Sequence, residues 1–379
     1  MISSAQWVAY NKAVESIVEG SRGALEAELT EWVGGHPGAG TAEIRREAER
    51  MMRGRVQDAD KAAASLAAQW YDAQGRAAGM RLDRAVTSVA FDEATVERVA
   101  HYQAQKLEDG DIPGFVEMCS ELVGNDAVRS LNATIMRNAA RDKSRGVKFA
   151  RVTSGRNTCP WCLMLAGRGA VYHTRESAGA MGRFHRHCSC KIVPSFSGDR
   201  YEVLVEGHDP KKIESRLKDI ERLTGTRRGT AEFDREVELR DPDWLFGDEA
   251  KIIYDKPSDK LLDHESFAVD ALHDGGFPFT VLNEDENAPA NIDLLFDSGQ
   301  LWEMKDVGDG RHSVEDQLKS ARSKWRRLDI DDPVRVVITG TNLKRRSEQE
   351  VIDEIRRRSH YYDEVLFVKK DGCLVRITK

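Results

Sequence analysis

At 379 residues, 40% of them hydrophobic and 32% charged, the chain is long enough for two or three domains, each with its own core. A net charge of −7 argues against nonspecific coating of nucleic acid, and no apolar run approaches the roughly eighteen residues of a membrane-spanning helix. The opening MISSAQWVAYNKAVESI lacks a basic segment followed by an apolar core, so no secretory signal is expected in it.

Residues 1–150 read as helices, because β-branched clusters are few and Ala, Glu and Arg abound, above all through residues 42–86. A first helix from Ser4 to about Trp32 is broken by the Gly-Gly-His-Pro-Gly-Ala-Gly run at 34–40. Two or three more helices are expected between Glu93 and Asp142. In the segment 151–225, residues 151–200 change character, with short apolar pieces, many Gly and four clustered cysteines, before helical pattern returns at Pro210–Thr224. CPWC at 159–162 and HRHCSC at 185–190 have the spacing of a structural Zn²⁺ site. Cys159 and Cys162 would give one pair of ligands, and His187, Cys188 and Cys190 would supply the other, with His185 spare. Reduced buried thiols and a redox C-x-x-C are the competing readings of the same residues. Cys119 and Cys373 stand alone and read as buried small hydrophobes. Residues 226–257 are polar and read as a connector or a partly helical linker, with a domain boundary at its end.

Residues 258–379 read as an α/β sandwich. Ser258 can cap a helix running to about His273. Phe279–Leu282, Asn291–Phe296 and Leu301–Val307 have strand composition. A stripe of Val314, Leu318, Ala321, Trp325 and Leu328 makes Ser313–Leu328 an amphipathic helix. Val334–Thr339 (VRVVIT), apolar but for Arg335 and the closing Thr339, reads as a strand buried on both faces. Ser347 and Glu350 form a capping box for a helix to about His360. Glu364–Lys370 and Cys373–Thr378 then form a hairpin around a two-residue Asp371-Gly372 turn.

Chemistry concentrates in NIDLLFDSGQLWEMKDV, residues 291–307. Glu303 and Lys305, an E-x-K, share one face of a strand because side chains alternate. Asp293 lies across a Gly-containing turn, and a pair of carboxylates is the hard-oxygen environment that Mg²⁺ or Mn²⁺ prefers. A lysine two residues on would orient or deprotonate the attacking water, or neutralise developing phosphate charge. Alone, an E-x-K is most often a surface strand with alternating charges. Here Glu265 interrupts the apolar stripe of the preceding helix, where a metal or a lysine must offset its burial, and Gln317 follows on the next helix. Asp293 joins Glu303 and Lys305 only if a three-residue loop or a β-bulge near Gly299 sets the register; a pairing of 293 with 305 is expected. Lys324, Arg326, Arg327, Lys344, Arg345 and Arg346 are available for a polyanion, although each also suits a solvated helix end. Trp302 and Trp325 read as core rather than as platforms for bases.

The order helix, acid on a strand, turn, E-x-K, helix with Gln resembles the PD-(D/E)xK nuclease superfamily, and more narrowly the tRNA-nuclease toxin domain of contact-dependent growth-inhibition (CdiA-type) proteins. That resemblance covers residues 258–379, with Asn-Ile-Asp in place of Pro-Asp. It implies that Glu265, Asp293 and Glu303 hold Mg²⁺ and that Lys305 steers the water. A second resemblance, carried by TSGRNTCPWCLMLAGRGAVYHTRESAGAMGRFHRHCSC, is to the minor capsid (MuF-like) proteins of phages, and covers roughly residues 1–225. Together they imply a virion-associated minor head protein with capsid or portal partners. Its last domain would cut RNA, tRNA by the resemblance, in the bacterial cytoplasm and would need a small immunity protein. A DNA substrate, or a structural capsid protein that binds nucleic acid without cutting, are the alternatives.

Overall fold

The Ala-, Glu- and Arg-rich start of the chain forms helices α1 Ser4–Gly35, α2 Thr41–Ala77, α3 Glu93–Glu108 and α4 Ile112–Arg141. The structure is a computed structural model that describes residues 1–156, 158–173, 190–285, 287–288 and 290–379. Small buried residues Ala59, Ala63, Ala64 and Ala67 let α2 pack closely against α4. Helix α2 stops at Ala77 rather than continuing to residue 86. Gly79 turns the chain at φ +71, and the following extended segment finds its backbone partners on α4. Asn138 bonds both N–H and C=O of Val86, Thr134 does the same for Ser88, and Ser130 accepts from Ala90 N–H. These side chains, at i, i+4 and i+8 on α4, replace the hydrogen bonds a longer helix would have supplied.

Strands β1 Lys148–Val152 and β2 Lys191–Ser195 pair antiparallel, and α5 Pro160–Gly167 lies between them in sequence. The chain divides into two compact units, one of residues 1–158 with 165–211 and one of residues 159–164 with 212–379. No helix among the described residues is long and apolar enough to cross a membrane.

The second unit takes in α6 Pro210–Thr224 from residue 212 onward. The segment expected as a linker is folded, into α7 Ala231–Glu238, α8 Pro242–Leu245 and strand β3 Ile252–Tyr254. Next come α9 Asp263–Asp274, β4 Phe279–Val281, β5 Leu294–Phe296, β6 Leu301–Asp306, α10 Ser313–Arg327, β7 Arg335–Thr339, α11 Glu348–Arg357, β8 Glu364–Val368 and β9 Leu374–Thr378. Their strands form one sheet in the order β3-β4-β5-β6-β7-β8-β9. β4, β5 and β6 run as an antiparallel meander, and β6, β7 and β8 are parallel, joined through α10 and α11. Ser258–Lys260 is only a 3₁₀ turn, so α9 starts at Asp263. The last hairpin closes through a three-residue loop, with Lys369 N–H bonded to Cys373 O and Gly372 at φ +79, rather than through a two-residue turn.

Alternation along the strands separates two cores. Phe279, Leu294, Phe296, Trp302, Met304 and Val337 pack with Ala268 and Leu272 of α9. Val336, Ile338, Val365 and Phe367 pack with Leu318, Ala321 and Trp325 of α10 and with Val351 and Ile355 of α11. Trp302, 1% exposed and stacked on Phe296 at 5.3 Å, and Trp325, 2% exposed, are core residues as expected. Helices therefore cover both faces of the sheet.

Candidate active site

The β5–β6 turn sets the site. Phe296 N–H donates to Gln300 O at 2.9 Å and Gly299 N–H to Phe296 O at 2.8 Å, closing a three-residue loop over 297–299. Gly299 takes φ +81, a conformation open to glycine and strained for other residues. Leu294 pairs with Trp302 and Leu295 with Leu301, so Asp293 stands opposite Glu303. The loop length matches expectation, whereas the register pairs 293 with 303 instead of 305. A shift of two residues preserves the face, and Asp293, Glu303 and Lys305 share it. It is the face covered by α10, because Trp302, Leu294 and Met304 point to α9.

Glu303 is fully buried, and two ammonium groups, from Lys305 and Lys324, pair with its Oε1. Its Oε2 is buried without a hydrogen-bond partner. Asp293 Oδ2 accepts from Met304 N–H at 2.6 Å. Burial, and next the negative charge of Glu303, push the Asp293 carboxyl up to about 7, against the pull of Lys324 and Lys305. Two carboxylates thus converge, one with an unsatisfied oxygen and the other reluctant to ionise. A divalent cation would relieve both, so the donor set fits Mg²⁺ or Mn²⁺.

Lys324 was expected among residues that contact nucleic acid from a helix end. The structure draws it into the site instead, because α10 positions 317, 321 and 324 line one face and Ala321 is buried. Gln317, half-buried, lies two turns before it on that face.

Glu265 is held by partners other than Asp293 and Glu303. It sits in the first turn of α9, and Leu262 N–H donates to its Oε2 at 2.9 Å. Lys256 Nζ pairs with that carboxylate at 3.2 Å and with Glu284 at 3.0 Å. The burial of Glu265, 8% exposed, is therefore offset by a lysine. Burial pulls the Lys256 ammonium down, yet its hydrogen bonds to Glu284 and Glu265 outweigh that and leave it raised. Glu284 is held low chiefly by Lys256 and also by the charge of Lys324, which ties this cluster to the site. Lys256 and Glu284 carry no local sequence signal of this role. Lys256 lies in the stretch taken for linker, and Glu284 follows a strand of only three residues.

Among the basic candidates, Arg326, Arg327, Lys344 and Arg345 are exposed. Arg346 is engaged, pairing with Glu354 at 2.6 Å. The backbone N–H groups of Lys344, Arg345 and Arg346 all donate to the Asp309 carboxylate, which fixes that loop and holds Asp309 low.

Of the expected Zn²⁺ ligands, His187 and Cys188, with His185, lie outside the described residues. Cys162 N–H donates to Cys159 Sγ at 3.3 Å, and Cys190 is buried with Sγ 4.0 Å from Thr158 Oγ1. Cys119 is fully buried, and burial pushes its thiol up to about 12. Cys373 is only half-buried, on a hairpin loop. Among the described residues, no three or more His, Cys, Asp and Glu side chains are grouped to hold a metal.

A family model described as VG15 protein matches residues 1–220 of the chain. No curated protein and no solved structure matches it.

Proposed function

We propose, for a chain that belongs to the VG15 protein family, that its C-terminal unit is a metal-dependent nuclease. The match over residues 1–220 points to a phage or viral protein. The observation that carries the nuclease reading is the meeting of Asp293, Glu303 and Lys305 on one strand face, with Glu303 Oε2 buried and unpaired. The order of α9, the β4–β5–β6 meander, α10 and a parallel β7 also accords with the PD-(D/E)xK core.

In this reading Asp293 and Glu303 hold the divalent cation, which when bound supplies charge stabilisation and acidifies water for attack on phosphorus. Lys305, anchored on Glu303, faces the scissile phosphate, orients the attacking water and offsets the charge that builds on the phosphoryl oxygens. Gln317 contacts the substrate phosphate from α10. Lys344 and Arg345 bind the flanking backbone, which an acidic unit needs in order to hold a polyanion. Glu265 acts at one remove, fixing Lys256.

The substrate we favour is RNA, tRNA in particular, in a bacterial cell. The N-terminal unit would be a MuF-like minor head region that anchors the protein in a virion near the portal, and a small immunity protein would restrain the nuclease in the producer. Expression in a susceptible bacterium tests this. The wild type should arrest growth and fragment tRNA, and Glu303→Gln should do neither while accumulating to the same level. Equal toxicity of the two proteins would refute it.

A further inference from the structure

The two lysines on Glu303 are tethered differently. Lys305 is two residues along the same strand, so the strand backbone itself holds it beside the carboxylate. Lys324 reaches in from the last turn of α10 on a long flexible stem, and a second carboxylate, Glu284, lies within range of its charge. Glu284 is 61% exposed and already partnered by Lys256, so an ammonium arriving there is solvated and welcome. With both carboxylates ionised, as a bound cation would hold them, the charges of Asp293 and Glu303 only balance those of Lys305 and Lys324. A divalent cation bound between the carboxylates would leave two positive charges in excess in a buried space, and the mobile ammonium is the one that can leave. Glu303 Oε2, buried and unpaired, would remain available to a cation while Lys324 holds Oε1.

We propose that Lys324 is a displaceable internal cation, which holds the buried Glu303 until a divalent cation enters and then moves to Glu284. This rests on the metal-dependent reading of the site and adds a regulator to it. Lys324 is thus a positioning residue that sets the threshold of metal concentration at which the site assembles.

Titration of Mn²⁺ into EDTA-stripped full-length protein, followed by calorimetry, tests it. Removing the competing charge in Lys324→Met should tighten Mn²⁺ binding about tenfold. Glu284→Gln, which removes the destination, should weaken binding about threefold with Lys324 present and leave it unchanged in the Lys324→Met background. Lys324→Met binding Mn²⁺ no tighter than the wild type, or Glu284→Gln acting equally in both backgrounds, would overturn the proposal and leave the metal site standing. Absence of Mn²⁺ binding in every protein would overturn the metal-dependent reading itself. If Lys324→Met does not fold by circular dichroism, the exposed Glu284→Gln variant decides, and unchanged affinity there overturns the displacement.

Discussion

Asp293→Asn should make the protein more stable as well as inactive, with a gain that grows with pH. Folding raises the Asp293 carboxyl from 3.8 to about 7. As pH rises from 4 to 7 the unfolded chain releases this proton and the native state keeps it, so stability present at low pH is lost across that window. With 1.36 kcal/mol per unit, the cost to the native state is about 2 kcal/mol at pH 5 and about 4 kcal/mol at pH 8, the latter an upper bound. Asparagine carries no such charge, and its Oδ1 still accepts from Met304 N–H, the contact the aspartate makes at 2.6 Å. Thermal unfolding of both full-length proteins in EDTA, from pH 5 to pH 8, reads the difference. The gap in Tm should widen in favour of Asp293→Asn by several degrees, given about 2–4 °C per kcal/mol for a unit of this size. Mn²⁺ should then stabilise the wild type and not the variant. Parallel pH profiles, or a variant less stable than the wild type at pH 8, would refute the reasoning.

Gly276→Ala should destabilise the C-terminal unit by about 2 kcal/mol or more, because φ is +83 and a Cβ would stand 2.3 Å from Trp244 Cδ2; a lower denaturation midpoint in urea checks this. Arg376 joins the buried Glu236 and Glu364. Arg376→Met should cost about 3 kcal/mol, and Arg376→Lys should not restore it, since only the guanidinium spans two carboxylates. Lys344→Ala and Arg345→Ala should each weaken RNA binding and lower the slope of log K against log salt by about one, with little change in Tm. An unchanged slope would remove that loop from the substrate path.

Much of the second unit was legible because its signals are local. Ser347 and Glu350 do form the capping box that starts α11, with Ser347 Oγ accepting from Glu350 N–H. The run Val334–Thr339 holds β7 Arg335–Thr339, buried throughout. Strict alternation put Glu303 and Lys305 on one face. Register was less legible, because a face survives a slip of two residues and the sequence cannot distinguish 303 from 305 as the partner of Asp293. Lys324 was misjudged because a basic run at a helix end is ordinarily solvated, although the spacing 317, 321, 324 already placed it on the inward stripe. Lys256 and β3 were hidden in a polar stretch, where a three-residue strand leaves almost no periodicity to read. The end of α2 was hidden for the opposite reason: helix-forming composition continues past Ala77, and only Ser130, Thr134 and Asn138, spaced by four on α4, hint that another backbone docks there.

The most direct measurement is incubation of the full-length protein with total tRNA and with plasmid DNA, in Mg²⁺ and in EDTA, beside Lys305→Ala. Discrete tRNA fragments that require both Mg²⁺ and Lys305 are the expected result. Cleavage of plasmid in their place would move the substrate to DNA. Cleavage that persists in EDTA or in Lys305→Ala, or no cleavage of either nucleic acid, would contradict a nuclease built on Asp293, Glu303 and Lys305.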